Sequence, residues 1–161
     1  MRLRELNNYW ILKVKDDSNK KFTRTGLEIF KHRMNEKVWG IRERAENGRK
    51  TANVSRLEKG DKVLFYYCGN GGYCFLGTGV LEAGFSKLIE LVFHEEYLDW
   101  KEGVSLKTVD PWTTRLPIET LRGKVHFVPT GKNFGSYIQG SITRISREDY
   151  ETVIHEHTIR H

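Results

Sequence analysis

Apolar and polar positions alternate at period two over Tyr9–Lys15 (YWILKVK), with Trp10, Leu12 and Val14 on one face, and this predicts an opening strand. Asp16–Lys21 reads as a polar loop. Thr25-Gly26-Leu27-Glu28 has the spacing of a capping box, in which the N-cap hydroxyl and the N3 carboxylate each take up a backbone N–H. Leu27, Phe30 and Met34 then recur as the stripe of a helix expected to end near Asn35, just before Val38-Trp39.

The strongest pattern lies in the middle of the chain. Lys62–Cys68 and Tyr73–Leu81 read as two strands joined at Gly69-Asn70-Gly71-Gly72, because Asn-Gly with flanking glycines supplies the positive φ angles of a tight hairpin. Val63, Phe65 and Tyr67 alternate with Leu64, Tyr66 and Cys68, so both faces of the first strand are apolar. Such a strand belongs inside a closed or covered sheet, with a core on one side and a helix on the other. Gly77 and Gly79 recur at period two on the returning strand, marking a barrel bend or a backbone that something approaches closely. An even-numbered loop sets Cys68 opposite Tyr73 and Cys74 opposite Tyr67, which puts the two thiols on opposite faces and predicts free cysteines.

Beyond Phe85 the pattern is weaker. Lys87–His94 fits a strand without excluding a helix, Tyr97–Gly103 reads as a loop, and Val104–Val109 as a strand broken by Asp110-Pro111. Pro117–Arg122 is expected to be a short helix, Val125–Val128 a short strand ended by Pro129, and Asn133–Tyr137 a loop. At the end, Ser146 with Asp149 caps a helix whose stripe is Tyr150, Val153, Ile154 and His157. Several strands with one helix early and one late imply a single-domain α+β fold, a small barrel flanked by helices over residues 1–161.

Composition narrows the function classes. The 161 residues are 38% hydrophobic and 30% charged, enough for one domain with its own core. The N-terminus lacks the apolar region of a signal peptide, and no apolar run approaches the roughly 18 residues that span a bilayer, so a cytoplasmic protein without a membrane partner is expected. The formal charge of +6 favours a polyanionic partner. His155 and His157 are two apart and the other histidines are scattered, with no cysteine or carboxylate at ligand spacing, so neither a metal nor another cofactor is expected. The sequence has no nucleophile motif or P-loop, which points away from an enzyme.

The remaining candidates are aromatic and basic. Trp10 reads as core, and Trp112 as either core or site. Trp39, followed by Gly40 and a basic segment (Arg42, Arg44, Arg49, Lys50, Arg56), and Trp100, in a polar loop, are either partly exposed lids on the core or walls of a pocket. An aromatic beside a positive loop is the raw material of a site that stacks a base and holds phosphate.

The order of Tyr9-Trp10-Ile11, Val38-Trp39-Gly40-Ile41, Lys59-Gly60-Asp61-Lys62-Val63-Leu64-Phe65-Tyr66, Gly77-Thr78-Gly79 and Gly140–Ser146 resembles the EVE domain of the PUA-like superfamily, a family similar to YTH domains. The match is loose from about Leu88 to Phe134. The resemblance implies a small PUA-like barrel that binds nucleic acid, DNA or RNA, and reads a modified base in an aromatic pocket without catalysis. It implies stacking of the base on Trp39, and on Trp100 if Asp99–Gly103 matches the YTH cage segment. Backbone groups near Lys13–Lys15 and Tyr66, Tyr67 and Cys68 would read the base, with Arg42, Arg49 and Lys50 on phosphates. On this reading, removing Trp39 is expected to spare the fold. The alternative the resemblance implies is a specificity subunit working beside a nuclease or within an RNA-modification system. A small-ligand or protein-interaction barrel, its basic loop merely solvated, stands against both.

Overall fold

The structure, a computed structural model, describes residues 7–18, 23–45, 47–87, 102–128, 138 and 140–160. Strand β1 (Tyr9–Lys15) leads to a two-stranded ribbon, β2 (Asp17–Ser18) with β3 (Thr23–Arg24), where a plain loop was expected. Helix α1 (Gly26–Glu36) follows, then β4 (Val38–Gly40), β5 (Lys62–Gly69), β6 (Gly72–Leu81), β7 (Gly103–Pro117), β8 (Ile142–Ile145) and helix α2 (Arg147–Arg160). Short 3-10 turns occupy Val54–Arg56 and Ile118–Leu121. Among the described residues, β4, β7, β6, β5, β1 and β8 form, in that order, one mixed sheet curled into a half-barrel that the two helices flank. Among the described residues no helix is long and apolar enough to cross a membrane.

The curled sheet carries a core on each face. Trp10, Leu12, Val63, Phe65 and Tyr67 meet Ile29, Phe30 and Met34 of α1 on one side. Ile11, Leu64, Tyr66 and Phe75 meet Leu121, Val125 and, from α2, Val153 on the other. Strand β5 is therefore buried on both faces from Val63 to Tyr67, as its unbroken apolar run requires.

Local chemistry explains the helix starts. Thr25 Oγ1 accepts from the Glu28 N–H at 3.1 Å, and Glu28 returns the bond by accepting from the Thr25 N–H at 2.9 Å. Ser146 Oγ accepts from the Asp149 N–H at 3.0 Å at the head of α2. The β5–β6 hairpin turns over Asn70-Gly71, with Cys68 opposite Tyr73 and Tyr67 opposite Cys74, and both cysteines are free.

A second anchor joins the turn before β5 to the first strand. Asp61 is wholly buried and accepts three N–H groups: Trp10 Nε1 at 2.8 Å, Asn8 N at 2.9 Å and Glu58 N at 3.0 Å. The Tyr-Trp strand and the Gly-Asp turn are thus two halves of one hydrogen-bonded lock. At the other end of β5, Asp16 Oδ1 accepts from Gly26 N and from the Tyr67 hydroxyl, each at 2.8 Å, and Oδ2 accepts from Asn70 N at 2.9 Å. Those donors hold the Asp16 carboxyl below its usual range, the Gly26 N–H contributing most.

Two expectations are corrected. Asp110-Pro111 does not end its strand: β7 runs on to Pro117, and the register against β6 shifts between Phe75 and Gly77, which face Leu116 and Pro111. A bulge tolerates a residue without an N–H, and Gly77, at φ +155°, brings the backbones so close that a Cβ there would meet the Asp110 carbonyl and Pro111 Cα. Val125–Val128 is a run of turns rather than a strand. Its apolar residues still face the α2-side core, while the His126 N–H is taken by Asp149 Oδ2 at 2.9 Å instead of by a neighbouring strand.

Candidate functional site

The Trp39-Gly40 segment is held by its neighbours' backbone. Lys37 adopts a left-handed cap at φ 54°, which turns the chain out of α1, and its carbonyl accepts from Leu106 N at 2.8 Å. Strand β4 then lies antiparallel to the start of β7, pairing Val38 with Ser105, Trp39 with Val104 and Gly40 with Gly103. Gly103, at φ +152°, could carry no side chain here, because a Cβ would run into the Trp39 carbonyl oxygen. Ile41 N donates to the Glu102 carbonyl at 3.0 Å, and Glu43 N to the Glu102 carboxylate at 2.6 Å. Glu102 and Gly103, assigned to a loop from sequence, thus fasten the chain just where it leaves β4. Trp100, Lys101 and the segment 88–99 lie outside the described residues.

Trp39 itself is only 1% exposed. Its ring stacks on Phe65 at 4.7 Å with planes 19° apart, takes the edge of Phe30 at 6.3 Å, and has the buried Arg33 guanidinium 4.6 Å from its centre. The expectation that its removal would spare the fold is therefore corrected: truncating so buried an aromatic costs about 3–5 kcal/mol. The stack was not legible because Phe65 and Arg33 come from other elements. A signal for Arg33 existed, since it lies three residues after Phe30 on the apolar stripe of α1.

From Arg42 to Thr51 the chain forms a small hairpin rather than a loose loop. Arg44 bridges to Lys50, Ala45 N donates to Arg49 O at 2.8 Å, Thr51 N to Glu43 O at 2.7 Å, and the Arg44 guanidinium to Gly48 O at 3.1 Å. Arg42, Arg44, Arg49 and Lys50 are all exposed. Glu43 carries the acidic charge at its base and pairs with Lys87 at 3.0 Å, which lowers the Glu43 pKa.

The backbones of Lys13–Lys15 and Tyr66–Cys68 are brought together, paired in parallel as Lys13 with Tyr66, Val14 with Tyr67 and Lys15 with Cys68. The pairing of β1 with β8 ends at Leu12, and Lys13 N still donates to the Ser141 carbonyl at 3.0 Å. Lys13 Nζ donates to the Ile138 carbonyl at 3.0 Å, and burial lowers its pKa. Lys15 is exposed. The Tyr67 hydroxyl is committed to Asp16, whereas Tyr66, whose phenol burial pushes up, points into the opposite core from Trp39. Trp10 is core, and Trp112 is half-buried, stacked on His157 at 3.7 Å.

One cluster the sequence did not reveal joins His126 to Glu148 and Asp149, with ligand-type atoms all within 4.8 Å. The pairing spans 23 residues and leaves no spacing to read. Asp149 already accepts His126 N at 2.9 Å and lies 3.0 Å from His126 Nδ1, so the cluster fastens the 126 turn to α2. Two open clefts, of about 750 and 870 Å³, lie beside α2, and Trp39 lines neither.

The EVE domain family model matches residues 8–156. No curated protein is similar enough in sequence to count as a match. Among solved structures, a hypothetical protein from Leishmania major superposes with a TM-score of 0.59 at 18% identity, covering 96% of each chain. The YTH domain of the Zygosaccharomyces rouxii MRB1 protein, in complex with N6-methyladenosine RNA, also gives 0.59, at 10% identity over 97% of this chain and 90% of that one. Protein Atu2648 from Agrobacterium tumefaciens gives 0.56 at 17% identity over 92% of each.

Proposed function

The chain belongs to the EVE domain family, and from that premise we propose that it binds nucleic acid and reads a modified base near the end of β4, without chemistry of its own. The observation that carries this reading is the exposed basic hairpin, closed by the Arg44–Lys50 bridge, that follows the strand bearing Trp39. Its arginines and lysine hold phosphates, while the sheet supplies the base-reading end. The likeness in fold to the Z. rouxii domain bound to N6-methyladenosine RNA supports the same assignment.

The burial of Trp39 adds a condition. A base stacks on it only if Phe65 or Arg33 first moves aside, so binding exchanges one of these two contacts of the Trp39 ring for a Trp39–base stack. Stacking is worth roughly 1–3 kcal/mol per base, enough to replace the ring contact it displaces. Burying a methyl group adds only about 0.8 kcal/mol, so selectivity needs a pocket shaped to the modification.

The test is a titration of oligonucleotides, each carrying one modified base, at two salt concentrations, with tryptophan fluorescence as one readout. The reading predicts salt-dependent binding, a preference for one modification, and a change in fluorescence as Trp39 exchanges Phe65 or Arg33 for the base. Salt-insensitive or undetectable binding would refute it.

A further inference from the structure

The 750 Å³ cleft lies where β1 begins, β8 ends and α2 begins, on a part of the molecule the base-reading end does not use. Its volume falls within the range of small-molecule sites. Tyr9 and Phe127 give it an aromatic wall, each backed by another ring: Tyr9 by Tyr150 at 5.0 Å, Phe127 by Phe75 at 6.0 Å. Arg144 and Arg147 give it a basic wall. Arg144 is held at its place by Asn8, whose Oδ1 accepts from the guanidinium at 2.9 Å while its own N–H is pinned to Asp61. Arg147 is exposed, and its pair with Glu151 at 3.2 Å is a solvent-screened surface contact. Asp149 also lines the cleft, its carboxylate accepting from the His126 backbone N–H at 2.9 Å and lying 3.0 Å from His126 Nδ1, so the two arginines set the charge of the opposite wall against it.

A second observation ties this cleft to the basic hairpin. Asn53, eleven residues on from Arg42, donates from Nδ2 to the Ile142 carbonyl of β8 at 3.0 Å, and Arg56 reaches Asn53 Oδ1 at 3.5 Å. The segment leaving the hairpin is thereby fastened to the strand that carries Arg144, with exposed cations on both.

We propose that this cleft takes a second nucleotide of the bound strand, its base against Tyr9 and Phe127 and its phosphate on Arg144 and Arg147. The proposal rests on the nucleic-acid-binding reading above but not on any role for Trp39. Recognition here is of a phosphate beside a flat ring, so it is indifferent to base modification.

The experiment follows backbone amide shifts of the whole protein on titration with AMP, adenosine, inorganic phosphate and single-stranded unmodified oligo(dA). The expected result is movement of the Tyr9, His126, Phe127 and Ile145 amides with AMP and with oligo(dA), AMP binding about tenfold tighter than adenosine or phosphate alone. Arg144→Gln combined with Arg147→Gln, two exposed positions, weakens both ligands about tenfold and leaves the melting temperature unchanged. If oligo(dA) moves only the amides of the 42–51 hairpin and β4, the cleft assignment is overturned and the base-reading proposal stands. If no strand binds at all, both fail.

Discussion

Replacing Asp61 with alanine tests the lock between the first strand and the turn before β5. The carboxylate is wholly buried and accepts three N–H groups. Bonds to a charged acceptor contribute about 1.5–3 kcal/mol each, but the three are not additive. Asn8 and Glu58 are partly open, so their N–H groups can turn to water, whereas the Trp10 indole is wholly buried and cannot. Its stranded N–H alone costs about 1–3 kcal/mol. Part of the total is offset because the carboxylate no longer has to be desolvated, and the net loss is about 3 kcal/mol, the scale on which breaking a buried hydrogen-bond network destabilises. At this chain length that lowers the melting temperature by about 10 °C. Urea unfolding of Asp61→Ala, Trp10→Phe and the double variant isolates the indole bond, with an expected coupling of about 1.5–3 kcal/mol. A loss below about 1 kcal/mol, or a coupling near zero, would falsify the lock.

Three further outcomes follow from other parts of the fold. Gly103→Ala forces a Cβ against the Trp39 carbonyl at an unfavourable φ, and is expected to cost about 2 kcal/mol or more, read by thermal unfolding. Arg49→Ala with Lys50→Ala should weaken modified and unmodified strands alike and reduce the slope of log K against log salt by about 1.4 for a single strand; loss of selectivity alone would contradict phosphate binding. Asp16 has a lowered pKa in the folded state, so its contribution is fully present above the ordinary carboxylate value near about pH 4 and is lost as pH falls through the folded value. Asp16→Asn should therefore be less stable at neutral pH and show a shallower loss of stability in acid.

What the sequence disclosed depended on how far apart the interacting residues lie. The capping box at Thr25, the Asn70-Gly71 hairpin and the opposed faces of Cys68 and Cys74 are settled by near neighbours, and each is found in place. The double burial of β5 was also readable, because an unbroken apolar run has no face to leave in water. Passage of β7 through Pro111 was not, since a proline ordinarily ends a strand and is accommodated here only by a bulge that Gly77 on another strand makes possible. The same holds at the candidate site. The charge of the 42–50 segment was plain, but its folding into a hairpin needs the specific bonds from Ala45 to Arg49 and from Thr51 to Glu43. Trp39 looked accessible because glycine and cations follow it; its burial is decided by Phe65 and Arg33, which only the tertiary fold brings to it.

The central claim is that the β4 end discriminates a modified base from its unmodified form. The most direct measurement is the ratio of dissociation constants for matched oligonucleotides, identical except for one modification, with the wild-type chain and with Trp39→Phe, a change that keeps a ring in the core. The account predicts at least one modification bound about tenfold tighter than its unmodified twin, a preference that Trp39→Phe reduces while the melting temperature falls only slightly. Equal affinity within every matched pair, or a preference that Trp39→Phe leaves untouched, would contradict it.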